Sequence, residues 1–274
     1  MDLQLAGKNA LVTGSTSGIG AAIVRLLARE GAAVIVHGRR TEAVADGVAE
    51  LTRDGFRAAG AVGDVSTEAG ADQVAGAALA AFGGIDILVN NAGLLIAPKA
   101  PAPGDWLTDL GASQASALYE ANVNSVFRMV RRIVPQMKDR GWGRVVMLGS
   151  VAAAMPREAF PQYSLTKAAN LNQMVSLSRL LAGTGITVNA VSPGLVRTPA
   201  VEPMIRGWSQ SFGWGEDWDV IEHNAATHVL NTPTRRLGRP DDIARAVAFL
   251  ASPQSDFING ANLRVDGGAN PTVN

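Results

Sequence analysis

From the first residues onward, short apolar runs alternate with longer amphipathic stretches, and this rhythm restricts the chain to a narrow set of folds. The runs predict strands over Asn9–Thr13, Ala33–His37, Ala58–Gly63, Asp86–Asn90, Arg144–Gly149, Thr187–Ser192 and Ala261–Val265. The stretches between them predict helices over Ile19–Glu30, Thr41–Asp54, Thr67–Phe82, Ala115–Arg140, Gln162–Ala182 and Asp241–Ala251. A strand that reads as a continuous apolar run is expected where a parallel sheet is covered on both faces. Regular β-α alternation therefore predicts an α/β architecture, a doubly wound parallel sheet of about seven strands with helices on both faces. No repeat, low-complexity tract or linker interrupts the pattern, so one domain over 1–274 is expected.

Two stretches break the rhythm. Leu94–Gly111 reads as a Pro-rich loop. Pro199–Arg239 reads as long and irregular, and it holds Trp208, Trp214 and Trp218, three of the five tryptophans. Long loops in compact domains are usually functional or disordered. The aromatic content favours function, and a substrate lid over about 199–239 is expected.

Composition removes several classes of activity. Apolar content of 47% with 18% charged residues describes a globular chain able to bury a core. A net charge of zero gives no reason to expect a nucleic-acid or anionic-membrane partner. The absence of cysteine excludes disulfides, thiolate metal sites and a Cys nucleophile, and is consistent with a cytoplasmic location. His37, His223 and His228 lack metal-like spacing, so no metal is expected. Met1–Lys8 carries no basic segment followed by an apolar run, so no signal peptide is expected, and no apolar run is long enough to span a membrane.

The chemistry-bearing residues fall where the predicted strands end. Thr13-Gly14-Ser15-Thr16-Ser17-Gly18-Ile19-Gly20 follows the first strand and opens the first helix. Glycines there permit a tight turn and close approach of a pyrophosphate, and the helix N-terminus attracts the anion. The spacing is Gly-x3-Gly-x-Gly, and a plain strand-to-helix turn is the competing reading. After the second strand comes Gly38-Arg39-Arg40, with no acid to hold a ribose 2′-hydroxyl and with Arg39 suited to a 2′-phosphate. NADP(H) is the preferred cofactor on this reading, with NAD(H) possible. Ser17 weakens it slightly, because a basic residue there would strengthen phosphate binding. Asp64-Val65 and Asn90-Asn91-Ala92-Gly93 end the third and fourth strands, at the edge where open α/β sheets bind ligands. Ser150 closes the fifth strand, where it can bond a carbonyl or alcohol or simply cap a turn. Asn122 falls inside a predicted helix, a poor place for Asn, so it either faces solvent or holds a water or backbone group. Tyr163 and Lys167 stand at i and i+4 on one helix face, which sets a cation beside a phenol. A free phenol titrates near ~10. A neighbouring ammonium would depress it and make Tyr163 a proton donor and acceptor near neutral pH.

Taken together, these residues resemble the short-chain dehydrogenase/reductase family in its shorter, non-extended form. The match runs through Thr13-Gly14-x3-Gly18-Ile19-Gly20, Asp64-Val65, Asn90-Asn91-Ala92-Gly93, Asn122, Ser150, Tyr163-x3-Lys167 and Pro193-Gly194-x-Val196-x-Thr198. It continues through Arg236-x-Gly238-x-Pro240-x-Asp242-Ile243-Ala244 to Asp266-Gly267-Gly268, in family order over residues 5–268. The resemblance implies a Rossmann-type sheet and hydride transfer between a nicotinamide and a carbonyl or secondary alcohol. It implies that Tyr163 is the acid/base, that Ser150 orients the carbonyl, and that Lys167 binds the nicotinamide ribose and lowers the Tyr163 pKa. Asn122 would hold a helix kink and a relay water, Asn91 and Asp64 would contact the adenosine side, and Val196 and Thr198 the carboxamide. It also implies a homodimer or homotetramer. One departure is the 28 residues between Gly93 and Asn122, longer than the family pattern.

Two other classes were weighed. A catalytically dead dinucleotide-binding scaffold would be expected to lack Ser, Tyr or Lys at the site, and a sugar-nucleotide epimerase would need a larger substrate domain than the six residues after Gly268 allow. Pocket walls are expected at Leu94–Ile96, Ala152–Phe160 and 199–239, mostly apolar, with Arg157, Glu158, Glu202 and Arg206 as possible polar anchors. Such walls suit an apolar small-molecule ketone or alcohol. The alternative is a 3-oxoacyl thioester on a carrier, which the basic run Arg128, Arg131, Arg132, Lys138 and Arg140 could serve.

Overall fold

A computed structural model of the chain describes residues 2–95, 112–156 and 160–272. Seven strands form one sheet: β1 (Asn9–Val12), β2 (Ala33–Gly38), β3 (Ala58–Val62), β4 (Ile87–Asn90), β5 (Gly143–Leu148), β6 (Ile186–Pro193) and β7 (Asn262–Val265). Their order is β3-β2-β1-β4-β5-β6-β7, and every pairing is parallel. The order reverses between β1 and β4, which opens a crevice at the carboxyl ends of the strands, the place where sheets of this kind bind ligands.

Side-chain alternation explains why the strands are apolar on both faces. Ala10 and Val12 of β1 point into a core shared with α1 (Gly18–Arg29), α2 (Thr41–Arg53) and α9 (Pro240–Ala251). Leu11, between them, points the other way, into a core shared with α3 (Glu68–Phe82), α5 (Ser125–Arg140) and α6 (Pro161–Leu180). A one-residue slip of β1 would exchange these sets, so burial fixes the register. No helix among the described residues is long and apolar enough to cross a membrane.

Two expectations need correction. The helix expected over Ala115–Arg140 is not continuous. It runs as α4 (Ala112–Tyr119), a π-helical turn over Glu120–Asn124, and α5. A π turn carries one extra residue, and here it turns Asn122 inward. The stretch expected to be irregular, Pro199–Arg239, contains α7 (Glu202–Phe212) and α8 (Trp218–Asn224). The start of α8 has a local cause: the Asp217 carboxylate accepts from the N–H groups of Asp219 and Val220. Ile205, Ile221, Ala225 and Leu237 make a small core of their own beneath these helices. Much of the expected Leu94–Gly111 loop, with Ile96 of the expected pocket wall, lies outside the described residues, as do Arg157 and Glu158.

Candidate active site

Thr13 directly follows β1, and its hydroxyl accepts from the N–H groups of Asn91 and Ala92, both at 3.0 Å, which ties the first turn to the end of β4. Asn91 completes the tie: its amide donates to the carbonyls of Thr13 and Gly14, each at 2.9 Å. The Asn91 side chain is thus committed to shaping the turn, while the residue itself borders both cavities described below. A Cβ on Gly20 would lie 2.3 Å from the Gly14 carbonyl oxygen, and Gly14 and Gly18 have φ of +65° and +57°. These contacts explain the glycines. They leave the N-terminus of α1 bare, with no acidic residue in its first turn and no side-chain cap from Ser17. Exposed N–H groups and a positive dipole end are what a pyrophosphate requires, so the residues present fit a dinucleotide.

A second set of bonds comes from His37, which the sequence reading set aside. The imidazole is buried. Its Nδ1 accepts from the Gly14 N–H at 2.8 Å, so Nε2 carries the proton and donates to the Gly63 carbonyl at 3.1 Å. Burial pushes its pKa below the ordinary value, against the raising effects of the Gly63 carbonyl and Asp64. Ser15 exchanges two more bonds with the His37 backbone. The Gly-rich turn is therefore bolted to β2 and β3 before any ligand arrives.

Beyond the turn lies a cavity of about 300 Å³ bordered by Gly14, Thr16, Ser17, Gly38, Arg39, Asp64, Val65, Ala92 and Gly93. A Cβ on Gly38 would lie 2.6 Å from Thr16 Cγ2. The space an acidic side chain would occupy at this position is already filled by Thr16. Arg39 is exposed and has no ion-pair partner among the described residues. Burial works against the Asp64 carboxylate, but hydrogen bonds from the Ser66 hydroxyl and N–H and the charge of Arg39 prevail and hold its pKa low.

A second cavity, about 350 Å³, shares Ser17, Asn91, Gly93 and Leu94 with the first. It brings together Gly18, Ile19, Gly20, Ser150, Tyr163, Lys167, Pro193, Gly194, Val196 and Thr198, contributed by four separate segments. Ser150 follows β5 by two residues; its Oγ accepts from the Ala152 N–H at 3.1 Å, which caps the turn, and its hydroxyl borders the same cavity as the Tyr163 phenol. Lys167 is buried, and its Nζ donates to the Leu148 carbonyl at 2.9 Å. A Cβ on Gly93 would lie 3.7 Å from this Nζ and 3.1 Å from Asn122 Oδ1, so Gly93 keeps the ammonium open to the cavity. Thr198 faces the Gly-rich turn: a Cβ on Gly18 would lie 3.3 Å from its methyl.

The electrostatics differ from expectation. Burial raises the Tyr163 pKa, opposed by the Ser150 hydrogen bond, and burial pulls Lys167 down to about 8. The ammonium sits 5.6 Å from the centre of the Tyr163 ring, with its bond spent on Leu148. Desolvation thus outweighs the Lys–Tyr attraction in the protein alone, and the depressed phenol expected from the i, i+4 pair is not produced by these two residues.

Asn122 proves to hold backbone. Oδ1 accepts from the Leu94 N–H at 2.7 Å, and Nδ2 donates to the Leu94 carbonyl and to Thr166 Oγ1, each at 3.0 Å. Thr166 in turn donates to the Tyr163 carbonyl at 2.8 Å, and Asn170 donates to the Asn122 carbonyl at 2.9 Å. Thr166 and Asn170 were missed. Their only signal was two small polar residues on the α6 face that also carries Lys167.

The remaining walls of this cavity are apolar. Leu94, Leu95, Met155, Phe160, Val201 and Leu230 line it, and neither Glu202 nor Arg206 does. Those two pair with each other at 2.9 Å on α7.

Comparison with known proteins agrees with this geometry. A family model described as enoyl-(acyl carrier protein) reductase matches residues 14–270. The uncharacterized oxidoreductase YvaG of Bacillus subtilis is 42% identical over 98% of both chains. The 3-oxoacyl-[acyl-carrier-protein] reductase FabG of Vibrio cholerae is 35% identical over 97% of this chain and 98% of its own. L-Sorbose reductase of Gluconobacter frateurii, solved with NADPH and L-sorbose, superposes with a TM-score of 0.90 at 30% identity over the whole of both chains. With its sheet order, its Gly-rich turn and its Ser150, Tyr163 and Lys167 at one cavity, the chain belongs to the short-chain dehydrogenase/reductase family and is an oxidoreductase of that kind.

Proposed function

We propose that this protein is an NADP(H)-dependent oxidoreductase of compact, largely apolar ketones or secondary alcohols, forming one cytoplasmic domain with α7 and α8 as the substrate lid. The observation that carries the proposal is the joined pair of cavities, with Arg39 and the Thr16-filled Gly38 position at one end and Ser150, Tyr163 and Lys167 at the other. Arg39, Thr16 and Ser17 would hold the adenosine phosphate end. Gly14, Gly18, Ile19 and Gly20 would hold the pyrophosphate. Val196, Thr198 and Lys167 would hold the nicotinamide half. The solved sorbose reductase, in complex with NADPH, supports the cofactor assignment.

When bound, the dinucleotide supplies a hydride to the carbonyl carbon. Ser150 holds the carbonyl oxygen, and Tyr163, protonated because burial raises its pKa, donates its proton to that oxygen. Lys167 carries charge at neutral pH, and its field opposes the negative charge left on Tyr163. The apolar walls exclude water and strengthen both effects.

The thioester alternative rests on the kinship with FabG. The basic run lends it little support. Arg128 and Arg132 pair with Glu68, Glu120 and Asp72, and Arg140 with Asp86. Assembly as a homodimer or homotetramer is part of the proposal, because Tyr119, Phe127 and Leu180 are exposed around an apolar groove that a second copy would cover. Calorimetric titration with NADPH and NADH, followed by a ketone panel, tests the reading. Tighter NADPH binding and turnover of apolar cyclic or aryl ketones are expected. Tighter NADH binding would overturn the cofactor, and turnover confined to acyl thioesters would overturn the substrate class.

A further inference from the structure

Glu222 stands outside the cavity, yet it is the point where the lid meets the catalytic wall. Its side chain is 10% exposed. A carboxylate taken out of water is costly unless donors surround it. Three segments supply them. Trp218 Nε1 donates to Oε2 at 3.0 Å and the Leu237 N–H to Oε1 at 3.3 Å. The guanidinium groups of Arg197 and Arg239 approach to 4.0 and 3.7 Å. Arg197 also lies over the Trp218 ring at 4.1 Å, and Arg206 of α7 approaches the same ring at 5.2 Å. One carboxylate therefore gathers α8, the segment after β6 and the segment before α9, and α7 joins through the Trp218 ring.

Arg197 gives this cluster a route to the site. It sits between Val196 and Thr198, both of which line the catalytic cavity. Its own N–H donates to the Gly238 carbonyl at 2.8 Å, while the Gly238 N–H donates to Leu195 at 2.9 Å. The wall of the pocket is thus held at its backbone by Gly238 and at its side chain by Glu222. Packing alone would not need the charge, since Ile205, Ile221, Ala225 and Leu237 already form an apolar contact there.

We propose that Glu222 is a positioning residue, fixing the lid against Leu195–Thr198 and so setting the affinity for the carbonyl substrate. The proposal rests on the oxidoreductase reading for its kinetic consequence, not for its structural one. Glu222→Gln keeps the shape and removes the charge. The expected result is a KM for the ketone raised about tenfold, the scale of one charge-assisted hydrogen bond, with kcat unchanged. Backbone hydrogen exchange over 200–230 of the free protein should quicken in the same variant. Arg197→Met should reproduce both effects, and the double variant should be no worse than either single one. Additive effects, or unchanged KM and exchange with only a lowered Tm, would overturn the proposal. If Glu222→Gln does not fold, Trp218→Phe, which removes the indole donor and trims the ring beneath Arg197, takes its place with shifts expected in the same direction. A wild-type protein that turns over no carbonyl would count against the oxidoreductase substrate, while the exchange experiment would still decide the role of Glu222.

Discussion

The wall that carries Ser150, Tyr163 and Lys167 and the proposed lid border the same cavity and are built on different plans. At the wall, Asn122, Thr166 and the Tyr163 carbonyl are linked in a chain of bonds of 3.0 Å or less, and Ser150 and Lys167 are each held by backbone, at 3.1 Å to Ala152 and 2.9 Å to Leu148. In the lid, long side chains from distant segments converge on one carboxylate at 3.0 to 4.0 Å. Short, mutually dependent bonds restrict the wall to one geometry, which suits proton transfer. The charged cluster makes the placement of the 199–239 stretch depend on one side chain, Glu222.

The most severe way to break this contrast is at Tyr163. Tyr163→Phe should cut turnover by roughly 10²–10⁴-fold, the range for losing a general acid, while calorimetry finds NADPH affinity retained. Full turnover would take the phenol out of the mechanism. Arg39→Ala should weaken NADPH binding roughly 10–100-fold, as expected for lost bonds to a charged group, and leave NADH unaffected. Equal losses for both cofactors would show that Arg39 does not discriminate the 2′-phosphate. Asn122→Ala should lower unfolding stability by about 1–3 kcal/mol, because Leu94 loses partners for both its N–H and its carbonyl. A denaturant midpoint equal to wild type would mean that the clamp carries no load.

A pH profile sharpens the contrast further. Burial holds Lys167 at about 8 in the folded chain, against 10.5 when unfolded. Between those values the unfolded state binds the extra proton, so this residue makes stability rise with pH from about 8 toward 10.5. Lys167→Met should flatten that part of a Tm-against-pH curve. His37 gives a smaller effect of the same sign in acid. Its folded pKa lies below 6.5, so stability is lost as pH falls beneath that value. His37→Gln should remove the dependence, and an unchanged acid limb would assign it to other groups.

The wall was legible nearly residue by residue, and the 199–239 stretch only as an aromatic loop, without α7, α8 or the partners of Glu222. Tyr163 and Lys167 announce themselves because a helix converts their spacing into adjacency, and the Gly-rich turn because steric demands dictate its residues. The sheet was legible because burial on both faces writes unbroken apolar runs. The strand limits shifted by only a residue or so, as where β2 continues to Gly38. What escaped depends on partners far along the chain. His37 acts on Gly14 and Gly63, and Glu222 on Arg197 and Leu237, pairings that no local pattern records. The π turn escaped for the same reason, since its cause is the fit of Asn122 to Leu94 rather than any propensity of its own residues.

That turn sets local regularity against activity. An ordinary α-helix through Glu120–Asn124 would need one residue fewer, and every side chain before the deletion would rotate by about 100° relative to those after it. The shorter chain would form the better helix and lose the grip on Leu94. The extra residue is thus a register mark that any graft or redesign of this scaffold must carry over intact.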